Sequence, residues 1–312
     1  MELGRRDVER IVEEQVEAFE EALLGKVDLG EPRLKTILLA LDRSNQDDMV
    51  MGLGSELSRR YSAALVVTGG FPDDLEEEAR SYLSEAIRRL LKERVDATAL
   101  WAPGEESFEK ILWARQESEA DMLVLPAPYF RDIESLGEDS VGTNLDVLLA
   151  RSQVPLLVVR DPGLDPAAVL AHIHLAIFDD SLLSKGAAEW ALLLAKGGRM
   201  DALALVEEEF VGMVEEALAP EAISDEDIGK RFARDLVPLV SAVLRRCDEA
   251  GIPWDVEYAT GDLVNTITKR VERRQGLIVL RGYEPHDRPG EKVAREVILR
   301  SRSPVMAVKG GG

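Results

Sequence analysis

Two carboxylates follow apolar runs that are typical of buried strands. Asp42 ends the run "LKTILLAL", and Asp179 follows "HIHLAIF" in the second half of the chain. A carboxylate at the carboxyl end of a strand can accept hydrogen bonds from a ligand at the edge of a parallel sheet. It can equally cap the turn or helix that follows. Both interpretations stay open for Asp42, whereas capping is favoured for Asp179.

Other residues with ligating or catalytic chemistry are few. His172 and His174 lie two residues apart on one face of a predicted strand and could form half of a metal site. No third ligand matches them, so a packing role is favoured. The segment 137–143 has the glycine spacing of a phosphate loop but lacks its lysine. Cys247 is the only cysteine, which excludes a disulfide framework and a thiolate metal cluster. The sequence therefore predicts no metal site and no catalytic residue.

The charge of the chain limits its partners. Its 312 residues include 59 acidic and 38 basic side chains, which give a formal net charge of −21. Such a surface repels nucleic acid phosphates and anionic membranes. No apolar run approaches the ~18 residues of a membrane helix, and the acidic N-terminus is unlike a signal peptide. We expect a cytoplasmic protein without a nucleic acid partner or membrane insertion.

The elements that must position the two carboxylates alternate between short apolar runs and amphipathic helical patterns. Continuously apolar strands separated by helices predict a parallel sheet covered on both faces. After "DPGLDPAAV" the alternation starts again. We therefore predict an α/β fold with two tandem doubly wound domains, each with a five-stranded, mainly parallel sheet. The predicted boundaries are an N-terminal amphipathic helix and linker at 1–33, domain 1 at 34–162, a linker at 163–169 and domain 2 at 170–309.

The two halves also correspond position by position. Asp42 matches Asp179, Gly104 matches Gly261, and "SQVPLLVV" matches "SRSPVMAV". A repeat of this length in the same order indicates a tandem duplication. The last strand of each half is an apolar edge that needs a partner. We expect these two strands to pair within the chain, and a homodimer is also compatible with them.

A strand ending in "ALDRS", a helix beginning with Gly-Thr and a final "SQVPLLVV" strand resemble the universal stress protein family. The resemblance covers both halves, from about residue 34 to residue 309. It implies a five-stranded parallel α/β domain that often dimerises through its last strand. In one branch of that family, ATP is bound by a strand-end Asp and a loop of pattern G-x2-G-x9-G-[ST]. Glycines allow the backbone to approach phosphates, and a helix N-terminus offers free N–H groups to them.

The resemblance implies specific site residues and cofactors. The nucleotide-binding candidates of domain 1 are Asp42, Gly142 and Thr143, and the implied ligands are ATP or AMP with Mg²⁺. The degenerate counterparts in domain 2 are Asp179, Gly282 and Gly290.

Both loops depart from the family pattern. In domain 1 the first two glycines are absent, and Pro126 stands where the first is expected. The segment 131–139 is acidic, and a carboxylate near a phosphate costs on the order of 1–3 kcal/mol. In domain 2, Glu291 and Lys292 occupy the positions of the final Gly-Ser. We expect nucleotide binding to be weak or lost, with any remaining site in domain 1.

These features predict a non-enzymatic stress-response or regulatory protein. Two alternatives remain open. The first is an ATP-binding or slowly ATP-hydrolysing protein that uses the domain 1 site. The second is a ligand-free interaction module, in which the N-terminal helix docks an unknown protein partner.

Overall fold

The computed structural model describes residues 27–129, 143–207, 225–282 and 293–309. The amphipathic helix predicted near the N-terminus lies outside these residues. Within them the chain forms ten strands and nine α-helices. The strands of the first half are β1 Thr36–Leu41, β2 Ala64–Gly69, β3 Ala97–Ala99, β4 Met122–Pro126 and β5 Leu156–Val159. Those of the second half are β6 His172–Ile177, β7 Arg199–Glu207, β8 Trp254–Gly261, β9 Leu277–Arg281 and β10 Val305–Val308.

The helices alternate with the strands as the sequence predicts. In the first half they are α1 Asp47–Tyr61, α2 Glu76–Lys92, α3 Ser107–Glu117 and α4 Thr143–Arg151. In the second half they are α5 Pro166–Ala171, α6 Leu182–Leu194, α7 Asp225–Ala250, α8 Leu263–Glu272 and α9 Val293–Arg300. A short 3-10 helix at Asp73–Leu75 precedes α2. Of the described helices, none is both long and apolar enough to cross a membrane.

All ten strands belong to one sheet with the order β3-β2-β1-β4-β5-β10-β9-β6-β7-β8. The order of each half mirrors that of the other. Every neighbouring pair is parallel except β5 and β10, which run antiparallel, with Leu157 opposite Met306. The two tandem doubly wound domains are therefore confirmed, and their last strands join them into a continuous sheet.

The core lies on both faces of this sheet. Along β1, Ile37, Leu39 and Leu41 point into one layer, whereas Leu38 and Ala40 point into the other. This alternation follows from the two-residue period of a strand, and every one of these side chains is fully buried. Each layer contains residues of both halves, so the core continues across the junction of β5 and β10.

The segment predicted to be a linker contains the start of a short helix. Asp165 caps α5 by accepting a hydrogen bond from the Ala167 N–H at 3.2 Å, and Pro166 occupies the first helical position. Both residues are strong signals for a helix start. Helix α5 buries Val169 and Leu170 in the same core layer as Leu39. The connection between the halves is therefore packed rather than extended.

Candidate functional site

The order of the strands creates one crevice in each half. Strand β1 lies between β2 and β4, and β6 lies between β7 and β9. At β1 and at β6, successive strands therefore change from being added on one side to being added on the other. In open parallel sheets, ligands bind outside the carboxyl ends of the strands at such a point. Asp42 directly follows β1, and Asp179 is the second residue after β6. Both predicted carboxylates thus lie at the mouth of a crevice.

In domain 1 the Asp42 side chain closes a local turn. Its carboxylate accepts a hydrogen bond from the Ser44 N–H at 3.0 Å. The residue between them, Arg43, has a positive φ of 66°. This turn is the capping role that the sequence analysis left open for Asp42.

A second carboxylate, Asp47, lies beneath this turn. It accepts hydrogen bonds from the Arg43 N–H at 2.9 Å and the Tyr82 hydroxyl at 2.6 Å, and the Asp42 N–H contributes a third at 3.2 Å. The Asp47 residue is only 1% exposed. Burial raises its pKa to about 7, and the nearby Asp42 adds to the rise, although the hydrogen bonds oppose it. Sequence alone does not distinguish Asp47, because an acidic residue in the first turn of a helix is common.

The aromatic side chain of Tyr129 lies between the ends of β1 and β2. Its hydroxyl donates to the Leu41 carbonyl at 3.1 Å and accepts from the Gly70 N–H at 2.9 Å. Tyr129 is fully buried, and burial raises the pKa of its hydroxyl well above the ordinary value. The neutral phenol therefore occupies space and uses main-chain groups that a ligand at this strand end would need.

Other side chains complete this closure at the end of β2. The Ser107 hydroxyl donates to the Gly70 carbonyl at 2.6 Å, and the buried Lys110 ammonium donates to the Phe71 carbonyl at 2.7 Å. Phe71 is itself buried, and its ring meets the edge of Tyr82 at 6.2 Å between centroids. The protein's own side chains thus satisfy the polar groups of this strand end. Sequence alone does not reveal the role of Tyr129, because its partners lie 59 and 88 residues away.

The remaining candidates of domain 1 are described only in part. Thr143 is the first residue of α4, as the resemblance predicts for the Gly-Thr pair. Gly142 lies outside the described residues. The geometry of this pair relative to Asp42 therefore stays a prediction.

In domain 2 the carboxylate of Asp179 is held by several neighbours. One oxygen accepts hydrogen bonds from the Ser181 N–H at 3.1 Å, the Ser181 hydroxyl at 2.6 Å and the Ser184 hydroxyl at 2.5 Å. The other forms an ion pair with Arg281, whose guanidinium also stacks on Phe178. Ser181 is the N-cap of α6. These contacts hold Asp179 in the turn between β6 and α6.

The glycine at the end of β9 corrects the alignment of the two halves. The Gly282 N–H donates to the Val308 carbonyl, as the Ala127 N–H donates to the Val159 carbonyl. These bonds match Gly282 with Ala127, so the predicted match with Pro126 is wrong by one residue. A glycine is still absent from that position in domain 1. Gly290, Glu291 and Lys292 lie outside the described residues.

Both histidines belong to β6, with His172 half-buried at its first position and His174 buried two residues later. His174 is buried, and its Nε2 bonds the Arg274 carbonyl at 2.8 Å. Its Nδ1 lies 3.8 Å from the buried Asp201, which also pairs with Arg199 at 2.7 Å. Burial lowers the pKa of His174. In the described part of the chain, no group of three His, Cys, Asp or Glu residues could hold a metal ion.

Comparisons of the structure with solved structures identify the fold. A universal stress protein from Archaeoglobus fulgidus matches with a TM-score of 0.66 at 15% identity, covering 89% of this chain and 98% of that one. This chain has the universal stress protein fold. A protein of unknown function from Pseudomonas aeruginosa matches with a TM-score of 0.62 at 12% identity, covering 89% of this chain and 93% of the other. No family model and no curated protein sequence matches the chain.

Proposed function

We propose that this chain is a cytoplasmic regulatory protein of the tandem universal stress type, which acts by binding rather than by catalysis. Its domains are those at 34–162 and 170–309. Adenine-nucleotide binding is weak or lost, and any remaining site lies in domain 1. The observation that carries this proposal is the closed crevice of domain 1, in which the buried Tyr129 bonds the ends of both β1 and β2.

The state of the strand-end carboxylates supports binding without catalysis. Asp42 is used in a turn, Asp179 is neutralised by Arg281, and Asp47 is buried away from any ligand. A general base must reach the proton that it abstracts. The burial of Asp47 therefore argues against its use as a base, even with a pKa near neutrality.

Negative charge should make nucleotide binding weaker in domain 2 than in domain 1. A ligand phosphate near Asp179 would have to compete with a carboxylate that already holds Arg281. The sequence also replaces the expected final Gly-Ser with Glu291 and Lys292. In domain 1, Gly142 and Thr143 keep the expected residue types. Any residual ATP or AMP, with or without Mg²⁺, should therefore bind through Asp42, Gly142 and Thr143.

Calorimetry with AMP and ATP, each with and without Mg²⁺, tests this proposal. We expect dissociation constants weaker than about 100 µM for the wild-type protein. The Asp42→Asn variant should weaken any residual binding about tenfold, because a charged hydrogen-bond acceptor is lost. The matched Asp179→Asn variant should leave it unchanged. Micromolar binding in the wild type would mean that the crevice is open, and its loss only in Asp179→Asn would assign it to domain 2.

A further inference from the structure

A cavity of about 350 Å³ lies at the end of the domain 2 strands opposite to Asp179. It is formed where α8 and α9 end and where β10 begins. Leu164, which follows β5, lies against it from the connection between the halves. Its volume falls within the range of about 300–1,000 Å³ that is typical of small-molecule sites.

Hydrogen-bond donors dominate the polar lining of this cavity. Arg300 and Arg302 both line it, together with the Gln275 amide and the Ser303 hydroxyl. Within the described part of the chain, Arg302 has no ion pair and Gln275 and Ser303 have no side-chain hydrogen bond. Ser303 is only 7% exposed as a residue, but its hydroxyl is not among the described buried polar atoms that lack a partner, so solvent reaches it. Gln275 and Arg302 are exposed. All three side chains therefore offer donors to an acceptor that enters the cavity.

The charges around the cavity favour an anion. Glu272 is the one carboxylate among its described lining residues, against the two guanidiniums. The C-terminal ends of α8 and α9 add partial negative charge. This effect is reduced at α9, because Arg160 donates to the Ile298 carbonyl at 3.3 Å. The Arg300 guanidinium can still bind an anion, because its existing contacts are long: 3.3 Å to the Asn265 side chain and 3.8 Å to Glu296.

Two of the residues that line the cavity differ between the two halves. At the corresponding positions before β5, domain 1 has Gln153 and Val154 in place of Arg302 and Ser303. Those substitutions remove one guanidinium and one hydroxyl from the equivalent place. The duplication thus provides a matched comparison within a single chain.

We propose that this cavity binds a small organic anion. Its phosphate or carboxylate group would be held by Arg302 and Arg300, with Gln275 and Ser303 as further donors. Leu164 and the buried Val271 line the same cavity and suit a small apolar body attached to that group. This site is independent of the nucleotide crevice, because it lies at the other edge of the sheet.

Titrations of the full chain with phenyl phosphate and with benzoate test the proposal and distinguish the two anionic groups. Binding is followed by calorimetry and by amide and side-chain NMR signals of Gln275. We expect Arg302→Gln, which introduces the residue found in domain 1, to weaken binding of the preferred probe at least about tenfold. Ser303→Val, the second domain 1 residue, should also weaken it.

The charge-matched control is Arg88→Gln, which changes an exposed arginine of α2. It should bind the probe as the wild type does. Arg302 is exposed, so its replacement should leave the thermal unfolding midpoint close to that of the wild type. The proposal is overturned if neither probe binds at about 10 mM, or if Arg302→Gln and Ser303→Val bind as tightly as the wild type.

Discussion

At the scale of single residues, Asp42 and Asp47 together stabilise the turn after β1. The Asp42 carboxylate accepts a hydrogen bond within the turn, whereas Asp47 accepts hydrogen bonds from the N–H groups of the turn and from the Tyr82 hydroxyl. Asp47 is buried beneath the turn, and burial favours its protonated carboxyl. Both carboxyl groups thus form hydrogen bonds within the protein. The contribution of Asp47 to stability depends on pH.

The Asp47→Asn variant should reveal this pH dependence. The Asp47 pKa is about 7 in the folded protein and 3.8 when unperturbed, so the folded state binds more protons between these values. Its contribution to the free energy of unfolding is complete below the unperturbed pKa and is lost as the pH rises through about 7. An amide does not titrate. We therefore expect the stability of the wild type relative to Asp47→Asn to fall from pH 5.5 to pH 7.5 and then level off, with these pH values chosen above the pI of about 4.7.

Urea unfolding at four pH values across this range is the appropriate measurement. The control is Asp48→Asn, because the Asp48 side chain is 70% exposed and solvent screens its interactions. A constant difference between wild type and Asp47→Asn would contradict the prediction.

The sequence could place Asp42 and Asp179 at strand ends because each lies within two residues of its strand; their role towards a ligand stays a prediction. Capping by both is local and follows from the same adjacency. It could not predict Tyr129, since an aromatic residue after a strand gives no sign of which distant carbonyl it will meet. It also could not predict Arg281 as the partner of Asp179, which lies about a hundred residues away.

At the scale of elements, the pairing of β5 with β10 determines how the two halves relate. All four residues of each strand are buried, and both core layers continue across the pair. The Tyr61 hydroxyl of α1 reinforces the junction by donating to the Leu193 carbonyl of α6 at 2.7 Å. The expectation that the two strands pair rests on their apolar character together with the resemblance to the universal stress protein family.

Excised domain 1, residues 34–162, should associate with itself. Removing β10 exposes the apolar edge of β5, with its row of unpaired main-chain groups. We expect sedimentation at about 10–100 µM to show dimers or larger species that dissociate on dilution. The full chain is run in parallel, and its β5 edge is already paired. A monomeric excised domain at the highest concentration would contradict this expectation.

Helix α5 marks the limit of prediction at this scale. The Asp165-Pro166 pair was a recognisable start signal, but the helix has only six residues, of which Pro166 is the first. Periodicity cannot establish so short a helix. What stabilises it is tertiary packing of Val169 and Leu170, which no local pattern contains.

At the scale of the whole molecule, the net charge of −21 acts against compactness. Many described ion pairs are exposed, such as Arg80 with Glu76 and Arg43 with Glu78, and each contributes only about 0–1 kcal/mol. Repulsion between the excess acidic groups is spread over the entire surface and is screened by salt. When salt is added, the stability gained by screening this repulsion should therefore exceed the stability lost by screening the exposed ion pairs.

Raising NaCl from about 20 mM to about 500 mM should increase the thermal unfolding midpoint, because the Debye length falls from about 20 Å to about 4 Å and long-range repulsion is screened. Calorimetry or circular dichroism at pH 7.5 measures this shift, and KCl should reproduce it. A midpoint that falls with either salt would mean that the surface ion pairs dominate stability.

The antiparallel junction of β5 and β10 also affects how the two halves can accumulate substitutions. When two identical subunits meet through a two-fold axis, every substitution appears in both and must be tolerated twice. Here the partner of each domain is encoded separately, so a change on one side leaves the other side intact. The two halves differ in this way at three positions. Arg281 lies beside the strand-end carboxylate of domain 2, Tyr129 lies over the strand end of domain 1, and Arg302 has no arginine counterpart in domain 1. Fusion into one polypeptide thus gives the two halves separate evolutionary histories while their shared sheet keeps them permanently together.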